Sequence, residues 1–132
     1  MTGATFHHIG IASTDFDADQ LALACLDYSP ERADVSDELQ GVQARFLVGG
    51  GPRIELLRDL AGRSAIAQFA RKGAPMHHLA YEVDDLQRAA EQLDALGAKQ
   101  VAAPLPAVGF NMRQICFWML PNVVLIELIS RT

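Results

Sequence analysis

The sequence predicts an α+β fold of two tandem modules, each running strand, helix, then further strands. Three observations predict it. First, the chain repeats itself at an offset of 70 residues: Phe6-His7-His8-Ile9-Gly10-Ile11 falls on Met76-His77-His78-Leu79-Ala80-Tyr81, and Ala44-Arg45-Phe46-Leu47 on Gln114-Ile115-Cys116-Phe117. After a two-residue slip, Ile54-Glu55-Leu56-Leu57 falls on Ile126-Glu127-Leu128-Ile129. Second, Arg53-Ile54-Glu55-Leu56-Leu57 and Val123-Val124-Leu125-Ile126-Glu127-Leu128-Ile129 each set one carboxylate inside an apolar run that looks like a strand buried on both faces. An ionised Glu there costs several kcal/mol unless something compensates it. Third, the strands that open the two halves carry His7-His8 and His77-His78, and two buried carboxylates with two strand histidines suggest a metal.

The elements follow in order. After the first strand, Thr14 or Asp15 starts a helix whose buried face is Ala18, Leu21, Ala22 and Cys25, and Ser29-Pro30 ends it. Residues 30–41, rich in Glu, Asp and Ser, show no firm periodicity and predict a loop with a short or irregular strand. Gly49-Gly50-Gly51-Pro52 is the turn of a hairpin leading into the Glu55 strand, since no helix or GK[ST] follows that would make it a phosphate cradle. Residues 64–73, with a Ser cap, a basic last turn and a terminal Gly, predict a helical connector between modules of about 4–60 and 75–131. In the second half, Asp84 or Asp85 caps a helix, Leu86, Ala89, Ala90, Leu93 and Leu96 form its stripe, and Gly97 stops it. Pro121-Asn122 occupies the hairpin turn before the last strand.

Alternation decides which way the candidate ligands point. His8, Gly10 and Ala12 share one face of the first strand, and His78 and Ala80 share the equivalent face in the second half. Glu55 and Leu57 oppose Ile54 and Leu56, as Glu127 opposes Ile126 and Leu128. Small residues beside His8 and His78 leave room for an ion and a ligand. Gln43, Asn111 and Arg113 are the polar candidates for substrate contact.

Composition narrows the class of partner. At 132 residues and 50% hydrophobic, the chain is long enough to bury a core in one domain. A net charge of -5, with no basic cluster beyond Arg71-Lys72, argues against nucleic acid and anionic membranes and for a small-molecule substrate. Cys25 and Cys116 read as two reduced core thiols, and no stretch approaches the ~20 apolar residues of a membrane span. A cytoplasmic protein is expected.

At these residues the chain resembles the vicinal oxygen chelate superfamily, built from paired βαβββ modules whose sheets curve around one site. The resemblance covers essentially the whole length. Within the superfamily the chain is most similar to methylmalonyl-CoA epimerases, through Phe6-His7-His8-Ile9-Gly10-Ile11-Ala12, Gly41-Val42, Pro52-Arg53-Ile54-Glu55-Leu56-Leu57, Ser64-Ala65-Ile66-Ala67-Gln68-Phe69, Met76-His77-His78-Leu79-Ala80 and Val124-Leu125-Ile126-Glu127-Leu128. It differs from them in a shorter turn at Leu120-Pro121-Asn122 and in the stretch Ala107-Val108-Gly109-Phe110-Asn111-Met112-Arg113.

The resemblance implies one divalent metal ion per chain on His8, Glu55, His78 and Glu127, and an acyl-CoA thioester as a candidate substrate. Two imidazoles and two carboxylates suit Zn, Co, Ni, Mn or Fe(II). The reaction implied is removal of a proton α to a carbonyl through a metal-stabilised enolate, with Glu127 the leading base and Glu55 the candidate for the opposite face. A glyoxalase-type lyase would use the same quartet. An extradiol dioxygenase would use two His and one carboxylate, and a small-molecule-binding or resistance protein would lack the ligands. Oligomeric state stays open, with a homodimer common for this architecture.

Overall fold

A computed structural model describes residues 3–60 and 76–132. The predicted connector at residues 61–74 therefore lies outside the described residues. The chain forms two compact units, His8–His77 and a second made of Met1–His7 with His78–Thr132. Residues 3–7 thus cluster with the C-terminal half.

β1 (Thr5–Ala12) enters the His8–His77 unit at His8 and is followed there by α1 (Phe16–Leu23), two short strands β2 (Ser29–Pro30) and β3 (Val35–Asp37), then β4 (Val42–Val48) and β5 (Ile54–Asp59). The sheet is mixed. β1 runs parallel to β5, and β5, β2 and β3 each pair antiparallel with β4. The weakly patterned stretch after the helix thus supplies two very short strands.

Asp15 caps α1 by accepting a hydrogen bond from the Ala18 N–H. The helix does not bury the stripe predicted for it. Leu21 is 78% exposed and Ala18, Ala22 and Cys25 are also exposed, whereas Phe16 packs with Tyr28, Leu47, Ile54 and Leu56. The physical reason is length: after eight residues the backbone tightens into a 3-10 turn at Ala24–Leu26 and reverses at Asp27, whose φ is 65°. That reversal presses on the glycine turn, where a Cβ on Gly50 would lie 2.2 Å from the Leu26 carbonyl oxygen. Cys25 is accordingly an exposed thiol, while Cys116 is buried.

The second unit holds β6 (Met76–Val83), α2 (Leu86–Leu96), β7 (Lys99–Ala107), β8 (Arg113–Met119) and β9 (Leu125–Ser130). β6 is parallel to β9, and β8 is antiparallel to both β9 and β7. Asp85 caps α2 by accepting from the Arg88 N–H, and Gly97 at φ 91° ends it. Ala89 and Leu93 are buried against Val83, Cys116, Trp118, Ile126 and Leu128, so most of this stripe is where its spacing puts it; Leu96, at 63% exposed, is the exception.

Two details of the repeat differ from the sequence alignment. Phe46 pairs with Glu55 and Phe117 pairs with Glu127, so the third long strands correspond at an offset of 71 and Phe46 matches Phe117, not Cys116. A slip of one residue exchanges the faces of a strand, which makes this correction matter for the site. The last strand also starts later than predicted, because Val123 stands at φ 66° in a turn closed by its N–H donating to the Leu120 carbonyl.

Candidate functional site

Backbone register assembles one His–Glu pair in each unit. In the first, Gly10 is the β-partner of Glu55 and Ala12 of Leu57, so His8 and Glu55 stand on the same face with nothing larger than Gly10 between them. His8 Nε2 lies 3.3 Å from a Glu55 carboxylate oxygen. His8 is fully buried and Glu55 is 4% exposed. Phe46, directly opposite Glu55, turns its ring edge-on to His8 at 5.8 Å.

The second unit repeats the construction. Ala80 is the β-partner of Glu127, and His78 Nε2 lies 3.8 Å from a Glu127 carboxylate oxygen, both residues being 2% exposed. Phe117, opposite Glu127, meets the His78 ring edge-on at 5.2 Å. These two phenylalanines were missed as site residues. Alternation points to them once the repeat is aligned at the register the hydrogen-bond ladder imposes.

The donor chemistry fits a metal. Ligands about 2.1 Å from one ion and adjacent around it lie roughly 3 to 3.5 Å apart, close to the separations in both pairs. Each pair offers one imidazole nitrogen and one carboxylate oxygen, the borderline-to-hard combination that first-row divalent ions favour.

The polar candidates sort differently. Gln43 lies on the other face of β4, opposite Arg58 rather than Glu55, and its side-chain carbonyl accepts from the Arg58 guanidinium at 2.8 Å. Gln43 thus faces away from Glu55, because Phe46 and Ala44 take that face. Asn111 is an exposed residue in the left-handed region at φ 55°, serving the turn before β8. Arg113 lies on the same face as Glu127, but its guanidinium is engaged within the fold: it donates to Glu82 at 2.7 Å and to the Phe110 and Ser130 carbonyl oxygens. That hydrogen bond holds the Glu82 carboxyl below the usual carboxylate range, with His7 adding a favourable charge.

Comparison with known proteins agrees with this architecture. The Glyoxalase/Bleomycin resistance protein/Dioxygenase superfamily profile matches residues 7–117. The chain is 28% identical over 113 residues to the ethylmalonyl-CoA/methylmalonyl-CoA epimerase of Cereibacter sphaeroides, covering 84% of each protein. The structure of methylmalonyl-CoA epimerase from Mycobacterium tuberculosis superposes with a TM-score of 0.79 at 26% identity, over 97% of this chain and 88% of that one. That of the Streptomyces coelicolor methylmalonyl-CoA epimerase, in complex with 2-nitronate-propionyl-CoA, superposes with a TM-score of 0.78 at 25% identity, over 97% and 98%.

Proposed function

We propose that this chain, which belongs to the glyoxalase/bleomycin resistance/dioxygenase superfamily, removes the proton α to the carbonyl of an acyl thioester and acts as an epimerase-type isomerase on a methylmalonyl-CoA-like substrate. The observation that carries the proposal is the repeated buried pair: His8 with Glu55, and His78 with Glu127, each an imidazole and a carboxylate at ligand spacing in an apolar wall. The named activity of the relatives supports the choice of substrate.

In this reading His8, Glu55, His78 and Glu127 together hold one divalent ion. When bound, that ion supplies Lewis-acid polarisation of the thioester carbonyl, which acidifies the neighbouring C–H. Glu127 accepts the proton at a carboxylate oxygen, and Glu55 returns one from the other side of the planar carbon, which inverts it. Phe46, Ala44 and Val42 on the first pair's face, and Phe117 and Ile115 on the second's, keep water from these carboxylates. Asp37 and Asp59 are further carboxylates on the Glu55 face, through the Val42 register, and this reading assigns the proton transfers to Glu127 and Glu55.

The test is solvent exchange. Metal-loaded protein in D2O with methylmalonyl-CoA should incorporate deuterium at the α-carbon, and Glu127→Gln with its metal retained should lose at least about 100-fold of that rate. Undiminished exchange in metal-replete Glu127→Gln would remove Glu127 as the base. Exchange confined to an α-hydroxy-ketone, with none on the thioester, would assign the site to a glyoxalase-type lyase.

A further inference from the structure

In each unit the same three side chains meet on one face of the sheet. The row through Glu55 runs from Gly10 on β1 to Phe46 on β4, and the row through Glu127 runs from Ala80 on β6 to Phe117 on β8. The strand that carries the glutamate lies between the histidine's strand and the phenylalanine's, which puts those outer strands about 10 Å apart. The rings nevertheless come together: the His8 and Phe46 centroids are 5.8 Å apart with the rings at 89°, and those of His78 and Phe117 are 5.2 Å apart with the rings at 84°. Each histidine and its phenylalanine therefore lean toward one another across the glutamate's strand.

The two units differ around these contacts. At the register the ladders impose, the face keeps His8 as His78, Glu55 as Glu127 and Phe46 as Phe117, whereas Gly10 is answered by Ala80, Ala44 by Ile115 and Leu57 by Ile129. Positions that only fill volume on this face exchange one apolar side chain for another. The two phenylalanine positions keep the ring.

A ring has a physical use there. Strand geometry fixes where each imidazole leaves the sheet, but the torsion about its Cβ–Cγ bond is broad and two-fold. A phenyl ring at right angles to the imidazole makes a favourable edge-to-face contact, and turning the imidazole about that bond forfeits it. Phe46 is itself braced, because the Arg32 guanidinium carbon lies over it at 4.5 Å from its centroid. The imidazole plane in turn decides where Nε2 stands relative to the carboxylate, 3.3 Å from it in the first pair and 3.8 Å in the second.

We infer that Phe46 and Phe117 are positioning residues: each sets the ring plane of the histidine in its own pair, and with it the spacing of the imidazole nitrogen and carboxylate oxygen offered to the proposed ion. This deepens the proposed function and rests on it for what the spacing serves. The first of two measurements therefore needs no metal, and the second does.

The first is 13C relaxation of the histidine Cδ2–Hδ2 vectors in the metal-free full chain. Phe46→Leu should lower the order parameter of the His8 ring by about a third and leave that of His78 in place, and Phe117→Leu should do the reverse. Phe117→Tyr, at the less buried of the two positions, should keep the order because it keeps the ring. Leu47→Ala controls for a merely structural role: it empties core volume on the other face of β4, so it should lower the melting temperature without moving either histidine. Unchanged ring order in a folded Leu variant overturns the inference, and since the two variants lie in different units, either one decides the matter if the other does not fold.

The second measurement is calorimetric titration with Zn(II) and Co(II), with the visible spectrum of the Co(II) form recorded. Each Leu variant should bind about three- to tenfold more weakly and with an altered Co(II) spectrum, while Phe117→Tyr and Leu47→Ala bind as the wild type does. Lost ring order with unchanged affinity and spectrum overturns the role assigned to the spacing. A wild type that takes up neither ion, with ring order still dependent on Phe46 and Phe117, sinks the metal reading and keeps the positioning. Equal metal binding in the wild type and the Leu variants, with ring order unchanged, sinks the positioning and keeps the metal reading.

Discussion

Glu82 and Arg113 form an ion pair at 2.7 Å whose side chains are about three-quarters buried, and the guanidinium holds the carboxyl below its ordinary value of 4.5. A depressed folded value means that the pair stabilises the fold above the ordinary glutamate range. That contribution is lost as pH falls through the folded value. Glu82→Gln should therefore destabilise by about 0.5 to 1 kcal/mol at neutral pH, and the difference from wild type should vanish in acid. Melting curves at stepped pH check this, and a difference that grows on acidification would reverse the sign. The same pair explains why Arg113 drew notice in the sequence as a substrate contact: the residue type was legible, but its partner lies 31 positions upstream on β6.

At the scale of the element, the two helices show what a stripe of apolar residues does and does not determine. α2 buries Ala89 and Leu93 against the sheet, whereas α1 leaves Leu21 exposed and buries Phe16 from its first turn. Leu93→Ala should cost about 2 to 4 kcal/mol through lost transfer energy and a residual cavity. Leu21→Ala should change stability by less than about 0.5 kcal/mol. Denaturant unfolding distinguishes the two, and equal costs would mean that α1 packs on the face its sequence suggests. In α1 the helical spacing was readable but the rotation of an eight-residue helix was not. That rotation is set by the reversal at Asp27 and by the aromatic anchor Phe16.

For the whole molecule, the buried charges are the point of leverage. His8, Glu55, His78 and Glu127 are each no more than 4% exposed, and a bound cation would offset the cost of ionising the two carboxylates. Under the proposed metal assignment, chelation should lower Tm by about 5 to 10 °C, the shift expected for losing a ligand held at roughly 100 times its Kd. Calorimetry with and without chelator, with metal content measured alongside, provides the check. Coincident curves for metal-replete and stripped protein would defeat the assignment. Among the described residues, no helix is long and apolar enough to cross a membrane.

The sequence by itself determined the α+β class, the two-fold repetition, and the strand faces that pair His8 with Glu55 and His78 with Glu127. Period-2 alternation and duplication are local properties that survive without knowledge of any contact. Only the tertiary structure decided the register that makes Phe46 and Phe117 equivalent, because a strand's face changes with a single-residue slip that the hydrogen-bond ladder alone fixes. It likewise decided that Gln43 turns away from Glu55, that Arg113 is tied to Glu82 and that Arg32 lies over Phe46. Those facts depend on pairings between strands distant in the chain, which no spacing within a strand encodes.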